Sequence, residues 1–84
     1  MTATREEEAQ DLDTRGLKCP LPVLRARKAM KDVPVGGLLR VESTDPDSLQ
    51  DFRAYCESTG HELVEQRQEE DLYIHLLRKA DPQN

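Results

Sequence analysis

The stretch Leu12-Asp13-Thr14-Arg15-Gly16-Leu17-Lys18-Cys19-Pro20-Leu21-Pro22-Val23-Leu24-Arg25 decides the fold, because its character changes twice within fourteen residues. Gln10 to Asp13 reads as a short strand, and Thr14-Arg15-Gly16 as a turn. Pro20 and Pro22 fit only the first turn of a helix, where a missing N–H costs nothing. From Val23 to Lys31 there is no breaker, and Val23, Ala26 and Met30 recur at helical spacing as one apolar stripe. Pro34 and Gly36-Gly37 end that helix. Cys19 is therefore expected at or beside a helix N-cap.

Outward from this stretch, Leu38 to Ser43 reads as a strand with Leu39 and Val41 on one face. Thr44-Asp45-Pro46-Asp47 signals a second helix, with Asp45 as N-cap, Pro46 at its first position and Asp47 against the positive end of the dipole. Leu49, Phe52 and Cys56 form its apolar stripe, and Thr59-Gly60 closes it. Glu62 to Gln66 and Asp71 to Arg78 read as two strands joined by an acidic turn. In the last strand Tyr73, His75 and Leu77 alternate with Leu72, Ile74 and Leu76, a pattern that does not choose a face.

The order is β-α-β-α-β-β. Strands joined through helices favour parallel pairing with right-handed crossovers, and the last two make a hairpin. The expected fold class is α/β: a two-layer sandwich, with a four-stranded mixed sheet carrying two helices on one face. Residues 1–9 are expected as a disordered acidic tail, 10–80 as a single domain and 81–84 as a frayed C-terminus.

The chain has 84 residues, 36% hydrophobic and 35% charged, with no Trp and one Phe. A deep apolar pocket for a large cofactor does not fit that inventory, and no cofactor is expected. No apolar run is long enough to span a bilayer. The acidic, polar N-terminus is unlike a secretory signal, so the expected location is the cytoplasm, where thiols stay reduced. Two cysteines are too few for a disulfide scaffold or an all-cysteine zinc site, and no metal is expected. The net charge of −5 hides an asymmetry: Arg15, Lys18, Arg25, Arg27, Lys28 and Lys31 lie in a segment without a single acidic residue. That basic segment surrounds Cys19.

A thiol at a helix N-terminus, with Lys18 adjacent and Arg15 near, is expected to favour its thiolate. Pro20 and Pro22 stiffen the approach, so the sulfur would sit on a rigid, exposed corner. The competing reading is a buried cysteine at a helix start. Cys56 shares a stripe with Leu49 and Phe52 and reads as a small core residue, the alternative being a disulfide partner for Cys19. His61 reads as a strand-start residue and His75 as structural. Asp13 is placed to orient the turn before Cys19.

The quoted stretch, with its Cys19-Pro20-Leu21-Pro22, resembles the signature of the TusA (SirA-like) family of sulfur carriers. So do Thr44-Asp45-Pro46 through Phe52, Tyr55-Cys56, Thr59-Gly60-His61-Glu62-Leu63, and the ending Tyr73 to Leu77-Arg78-Lys79. The resemblance implies a carrier whose Cys19 accepts sulfane sulfur as a persulfide and passes it on, a sulfurtransferase-type relay rather than a stand-alone turnover enzyme. It implies donors of the cysteine desulfurase or rhodanese type, DsrE-like acceptors, and pathways such as tRNA thiolation, molybdenum cofactor supply or sulfur oxidation. Gly16, Asp13, Pro20 and Pro22 would support the motif. Arg15, Lys18, Arg25, Arg27, Lys28 and Lys31 would hold the persulfide anion or dock acidic partner faces. One departure is Asp51-Phe52-Arg53, where the family often shows Asp-Ile-Pro. A carrier of this size is expected to work as a monomer. Two other classes are weighed against it. One is a thiol-disulfide oxidoreductase using Cys19 and Cys56. The other is an interaction or nucleic-acid module using the basic helix, which the overall acidity and scarcity of aromatic residues oppose.

Overall fold

The computed structural model describes residues 8–81. Residues 1–7 and 82–84, which hold most of the expected tail and frayed end, lie outside the described residues. Six elements follow in the expected order: β1 (Gln10–Thr14), α1 (Leu21–Met30), β2 (Leu38–Ser43), α2 (Ser48–Thr59), β3 (Glu62–Glu69) and β4 (Leu72–Arg78). The sheet order is β1-β2-β4-β3. β1 and β2 are parallel, with Leu12 opposite Val41 and Thr14 opposite Ser43, as a helical crossover between them requires. β4 runs antiparallel to both β2 and β3. α1 lies over β1 and β2, α2 lies over β3 and β4, and the helices touch each other. The architecture is the two-layer α/β sandwich with a mixed sheet.

Between the layers, Leu39, Val41 and Leu77 of the sheet meet Ala26, Met30, Phe52, Tyr55 and Cys56 of the helices. In α1 the buried stripe is Pro22, Ala26 and Met30, with Val23 half-buried against it. In α2 it is Ser48, Phe52, Tyr55 and Cys56, and Leu49 is only half-buried. His75 faces the helices too, stacked on Phe52 with ring centroids 4.5 Å apart. Its Nε2 meets the Ser48 hydroxyl at 2.9 Å and its Nδ1 meets the Gln66 amide at 3.1 Å, so the buried ring is fully paired.

The alternation in β4 has no solvent face. Ile74 and Leu76 are each 1% exposed, although they point away from the helices. The flanking strands cover them: Arg40 and Glu65 lie opposite Leu76, and Glu42 and Arg67 lie opposite Ile74. Arg40 pairs with Glu42, and Arg67 with Glu65 and Glu69. The aliphatic stems of long charged side chains shield apolar surface while their heads stay in water.

Several boundaries differ from the sequence reading. Thr14 is not in the turn but ends β1, completely buried, and its hydroxyl donates to the Glu42 carbonyl at 2.6 Å. α1 starts at Leu21, so Pro20 is its N-cap and only Pro22 lies within the first turn. α2 starts at Ser48 behind Asp47, so Asp45 is not its N-cap. Asp45 and Pro46 instead form a preceding turn in which Ser48 N–H donates to the Asp45 carbonyl at 3.0 Å. β3 runs on to Glu69, and the hairpin turns through Glu70 at φ 59° and Asp71. Gly60, at φ 85°, closes α2 in the left-handed conformation that glycine adopts without penalty.

Candidate functional site

The parallel pairing of β1 and β2 carries both strands to the same end of the sheet. The turn after β1 (residues 15–20) and the turn after β2 (residues 44–47) are therefore neighbours. Hydrogen bonds join them: Gly16 N–H donates to Thr44 Oγ1 at 2.9 Å, and Cys19 N–H donates to Asp45 Oδ2 at 2.6 Å. Asp45 Oδ1 also accepts the Asp47 N–H at 3.0 Å. Together the turns enclose a cavity of about 520 Å³ lined by residues 16–19 and 44–47. Cys19 is exposed on its rim, and the Cys19–Pro20 peptide bond is cis. The competing expectation of a buried cysteine at this helix start is overturned.

The electrostatics differ from expectation. The sequence reading sets the thiol in a basic collar, at or beside a helix N-cap. In the structure Cys19 does lie beside the cap residue, Pro20, but the charges that weigh on its sulfur are carboxylates. A hydrogen bond to Asp51 and partial desolvation, reinforced by the negative charges of Asp51, Asp47 and Asp45, push the thiol up to about 11. The physical reason is the sheet: it brings the acidic start of α2 against the cysteine, and three carboxylates outweigh the weak field of the α1 terminus.

The basic residues are dispersed. Arg15 turns back onto Asp13, with Nε to Oδ1 at 2.9 Å and Nη2 to Oδ2 at 3.0 Å. Asp13 also accepts the Arg15 N–H at 3.0 Å, closing the turn, and its carboxyl falls to about 2. Lys18 lines the cavity beside Cys19. Arg27 lines a groove of about 380 Å³ between the helices, together with Pro20 and Asp51. Arg25 and Lys28 are exposed on the outer side of α1, and Lys31 lies at the far end of the molecule near His61 and Lys79. Gly16 takes φ 83° at the start of the turn.

Leu21 and Leu24, 43% and 48% exposed, place an apolar strip on α1 close to Cys19. Neither stands out in the sequence, where leucine in a helix reads as core. Asp51 is also missed; its signal is its place in the first turn of a helix whose start abuts the cysteine turn. Cys56 is 6% exposed within the core, and burial pushes its thiol up to about 11. Both cysteines are free. Among the described residues no cluster of His, Cys, Asp and Glu is placed to hold a metal, and no helix is long and apolar enough to cross a membrane.

Comparison with known proteins gives a consistent picture. The family described as Sulfurtransferase TusA matches residues 10–79. A protein named sulfur carrier protein TusA from Allochromatium vinosum is 44% identical over 71 residues, covering 84% of this chain and 93% of the relative. One of the same name from Pseudomonas aeruginosa is 44% identical over 68 residues, covering 81% and 86%. A putative sulfur carrier protein, YrkF of Bacillus subtilis, is 41% identical over 69 residues, which make up 82% of this chain and 37% of that protein. The crystal structure of a SirA-like protein from Desulfitobacterium hafniense shares the fold, with TM-score 0.72 at 23% identity, covering 84% of this chain and 97% of that one.

Proposed function

The chain belongs to the TusA sulfurtransferase family of sulfur carriers, and from that premise we propose that Cys19 takes up sulfane sulfur as a persulfide and relays it from a donor protein to an acceptor protein. The observation that carries this reading is the single exposed thiol, Cys19, on the rim of an open cavity and fixed through its own backbone to Asp45. A carrier needs one accessible sulfur in a reproducible place that partner sites of different shape can reach.

The transfer balances without an oxidant. The Cys19 sulfur attacks the outer sulfur of the donor persulfide, forming a new S–S bond as the donor's own S–S bond breaks. The electron pair and a proton leave with the donor as its thiol, as in thiol-disulfide exchange. The acceptor repeats the step on the Cys19 persulfide and restores the thiol.

In this reading Leu21, Leu24, Arg25 and Lys28 form the docking face of α1, with Lys18 and Arg27 flanking the sulfur and Arg15 and Lys31 more remote. Donors of the cysteine desulfurase or rhodanese type and DsrE-like acceptors fit the chemistry, in a cytoplasmic, monomeric carrier. The test is intact mass after incubation with inorganic polysulfide or a persulfide-bearing donor. The wild type should gain sulfur in amounts that dithiothreitol removes, and Cys19→Ser should gain none. A wild-type chain that never gains sulfur defeats the proposal.

A further inference from the structure

Asp47, the N-cap of α2, makes no side-chain cap bond. A helix start without a cap leaves backbone N–H groups unsatisfied and tends to fray. Yet the turn leading into this helix carries Asp45, whose carboxylate grips the backbone of Cys19. What steadies it comes from the sheet. Gln66 of β3 and His75 of β4 lie opposite each other. The Gln66 amide faces one way only: its oxygen accepts the Arg53 Nε–H at 3.0 Å, and its nitrogen donates to the Leu49 carbonyl at 2.9 Å. The same nitrogen meets His75 Nδ1 at 3.1 Å, so Nδ1 is an acceptor and the ring proton sits on Nε2. Nε2 therefore donates to Ser48 Oγ at 2.9 Å. Ser48 and His75 are 1% and 0% exposed, which shields that bond from water.

The first two residues of α2 are thus tied to the sheet, Ser48 through its hydroxyl and Leu49 through its carbonyl. From Ser48 the bonds run on to the sulfur-bearing turn. Its N–H donates to the Asp45 carbonyl at 3.0 Å, the Asp45 N–H donates to Ser43 Oγ at 3.1 Å, and Asp45 Oδ2 takes the Cys19 N–H at 2.6 Å. Resting on the carrier reading above, we propose that Gln66, His75 and Ser48 are positioning residues for sulfur transfer: they fix the start of α2 so that Asp45 presents Cys19 in one place. None of the three takes part in the exchange itself. Each transfer requires the attacking sulfur to be aligned with the S–S bond it breaks, so a loosened turn lowers the share of encounters that react. If the buried pair served stability alone, the Cys19 turn of a folded variant would be unaltered.

The experiment reads the Cys19 amide by proton–nitrogen correlation spectra, and the rate of loading by inorganic polysulfide by intact mass. The proteins are the folded wild type, Ser48→Ala, Gln66→Met and Ile74→Val. Ile74, buried on the other face of the sheet, has no place in the tether, so its variant controls for lost stability. Ser48→Ala and Gln66→Met should each shift the Cys19 amide proton upfield, as its bond to Asp45 slackens. Each should slow loading by up to roughly tenfold, the factor that one hydrogen bond represents. Ile74→Val should change neither. An unmoved Cys19 amide in both tether variants overturns the proposal, and so does an equal shift in the control. In the wild type the ring nitrogen shifts of His75 should place the proton on Nε2; a proton on Nδ1 overturns the tether without any variant having to fold. The amide is read before sulfur is added, which separates the two claims. Normal loading with unmoved amides sinks the tether alone, whereas moved amides beside a wild type that never loads sink the carrier reading alone.

Discussion

Asp45 Oδ2 accepts the backbone N–H of Cys19 at 2.6 Å across 26 residues of sequence. The same carboxylate takes the Asp47 N–H at 3.0 Å through Oδ1. One side chain thus sets both the position of the sulfur-bearing residue and the turn into α2. The bond to Cys19 would not exist if β1 and β2 were not parallel neighbours, because only that pairing brings the two turns to one edge of the sheet.

Replacing Asp45 with Ala removes both acceptors and should lower unfolding stability by about 1–2 kcal/mol, in the range of a lost cap or a hydrogen bond to a charged acceptor. Asp45→Asn keeps one acceptor oxygen and should lose less. Urea denaturation of the three proteins orders them wild type, Asn, Ala. Polysulfide loading at Cys19 should slow in the same order, because the turn that presents the sulfur loosens. An Ala variant as stable as the wild type would show that the bond contributes nothing.

His75 makes the fold sensitive to acid in a defined window. Burial lowers its pKa from 6.5 to about 4. Below about 6.5 the unfolded chain binds a proton that the folded chain refuses until about 4, so stability is complete above that window and falls through it. The full loss is at most about 3 kcal/mol. Asp13, lowered to about 2, acts in a separate and more acidic window, where its contribution fades below the unfolded carboxyl value. Urea midpoints measured from pH 7 to pH 4 should decline in wild type, and His75→Gln should show a flatter profile. Equal slopes in both proteins would rule out His75 as the source.

The helices and strands were legible because their signals are local. Pro34 and Gly36-Gly37 stop α1, Gly60 stops α2, and the acidic turn separates β3 from β4. Cys19 was legible for the same reason, through the two prolines that follow it. Its chemical environment was not, since the charges that decide it lie 26 to 32 positions away in sequence. A linear reading weights the adjacent Lys18 and Arg15, yet the sheet brings the charges of Asp45, Asp47 and Asp51 to bear on the thiol. The parallel crossover was itself expected, and the adjacency of its two turns follows from it; that step leads from the fold to the carboxylates. Ile74 and Leu76 went unplaced because what buries them is a cover of Arg and Glu side chains from neighbouring strands, which alternation within one strand does not reveal.

Gly16 tests whether backbone geometry ahead of Cys19 matters on its own. It sits at φ 83°, and a Cβ added there would meet nothing within 4 Å. Gly16→Ala therefore carries a conformational cost without a clash, about 1–2 kcal/mol for a left-handed L-residue. Gly16→Asn should lose less, since asparagine tolerates that region. Thermal or urea unfolding should rank glycine, asparagine, alanine. Alanine equal to glycine would mean the turn relaxes to another conformation, which loss of the Gly16 to Thr44 bond would report through weaker amide protection.

Cys56 decides between the carrier and a dithiol redox protein. Its thiol is raised to about 11, as that of Cys19 is, but the leading cause differs: burial alone for Cys56, the Asp51 carboxyl first and desolvation second for the exposed Cys19. A redox pair needs both sulfurs to meet, and Cys56 is enclosed by the core that holds Met30, Phe52 and Tyr55. Cys56→Ala should therefore cost about 1 kcal/mol of stability, the usual size for a modest core change. It should leave polysulfide loading at Cys19 undiminished. Iodoacetamide should label Cys19 alone in the native protein and both cysteines in urea. A natively folded Cys56→Ala protein that loads no sulfur, or a native disulfide between Cys19 and Cys56 after mild oxidation, would return the dithiol mechanism to first place.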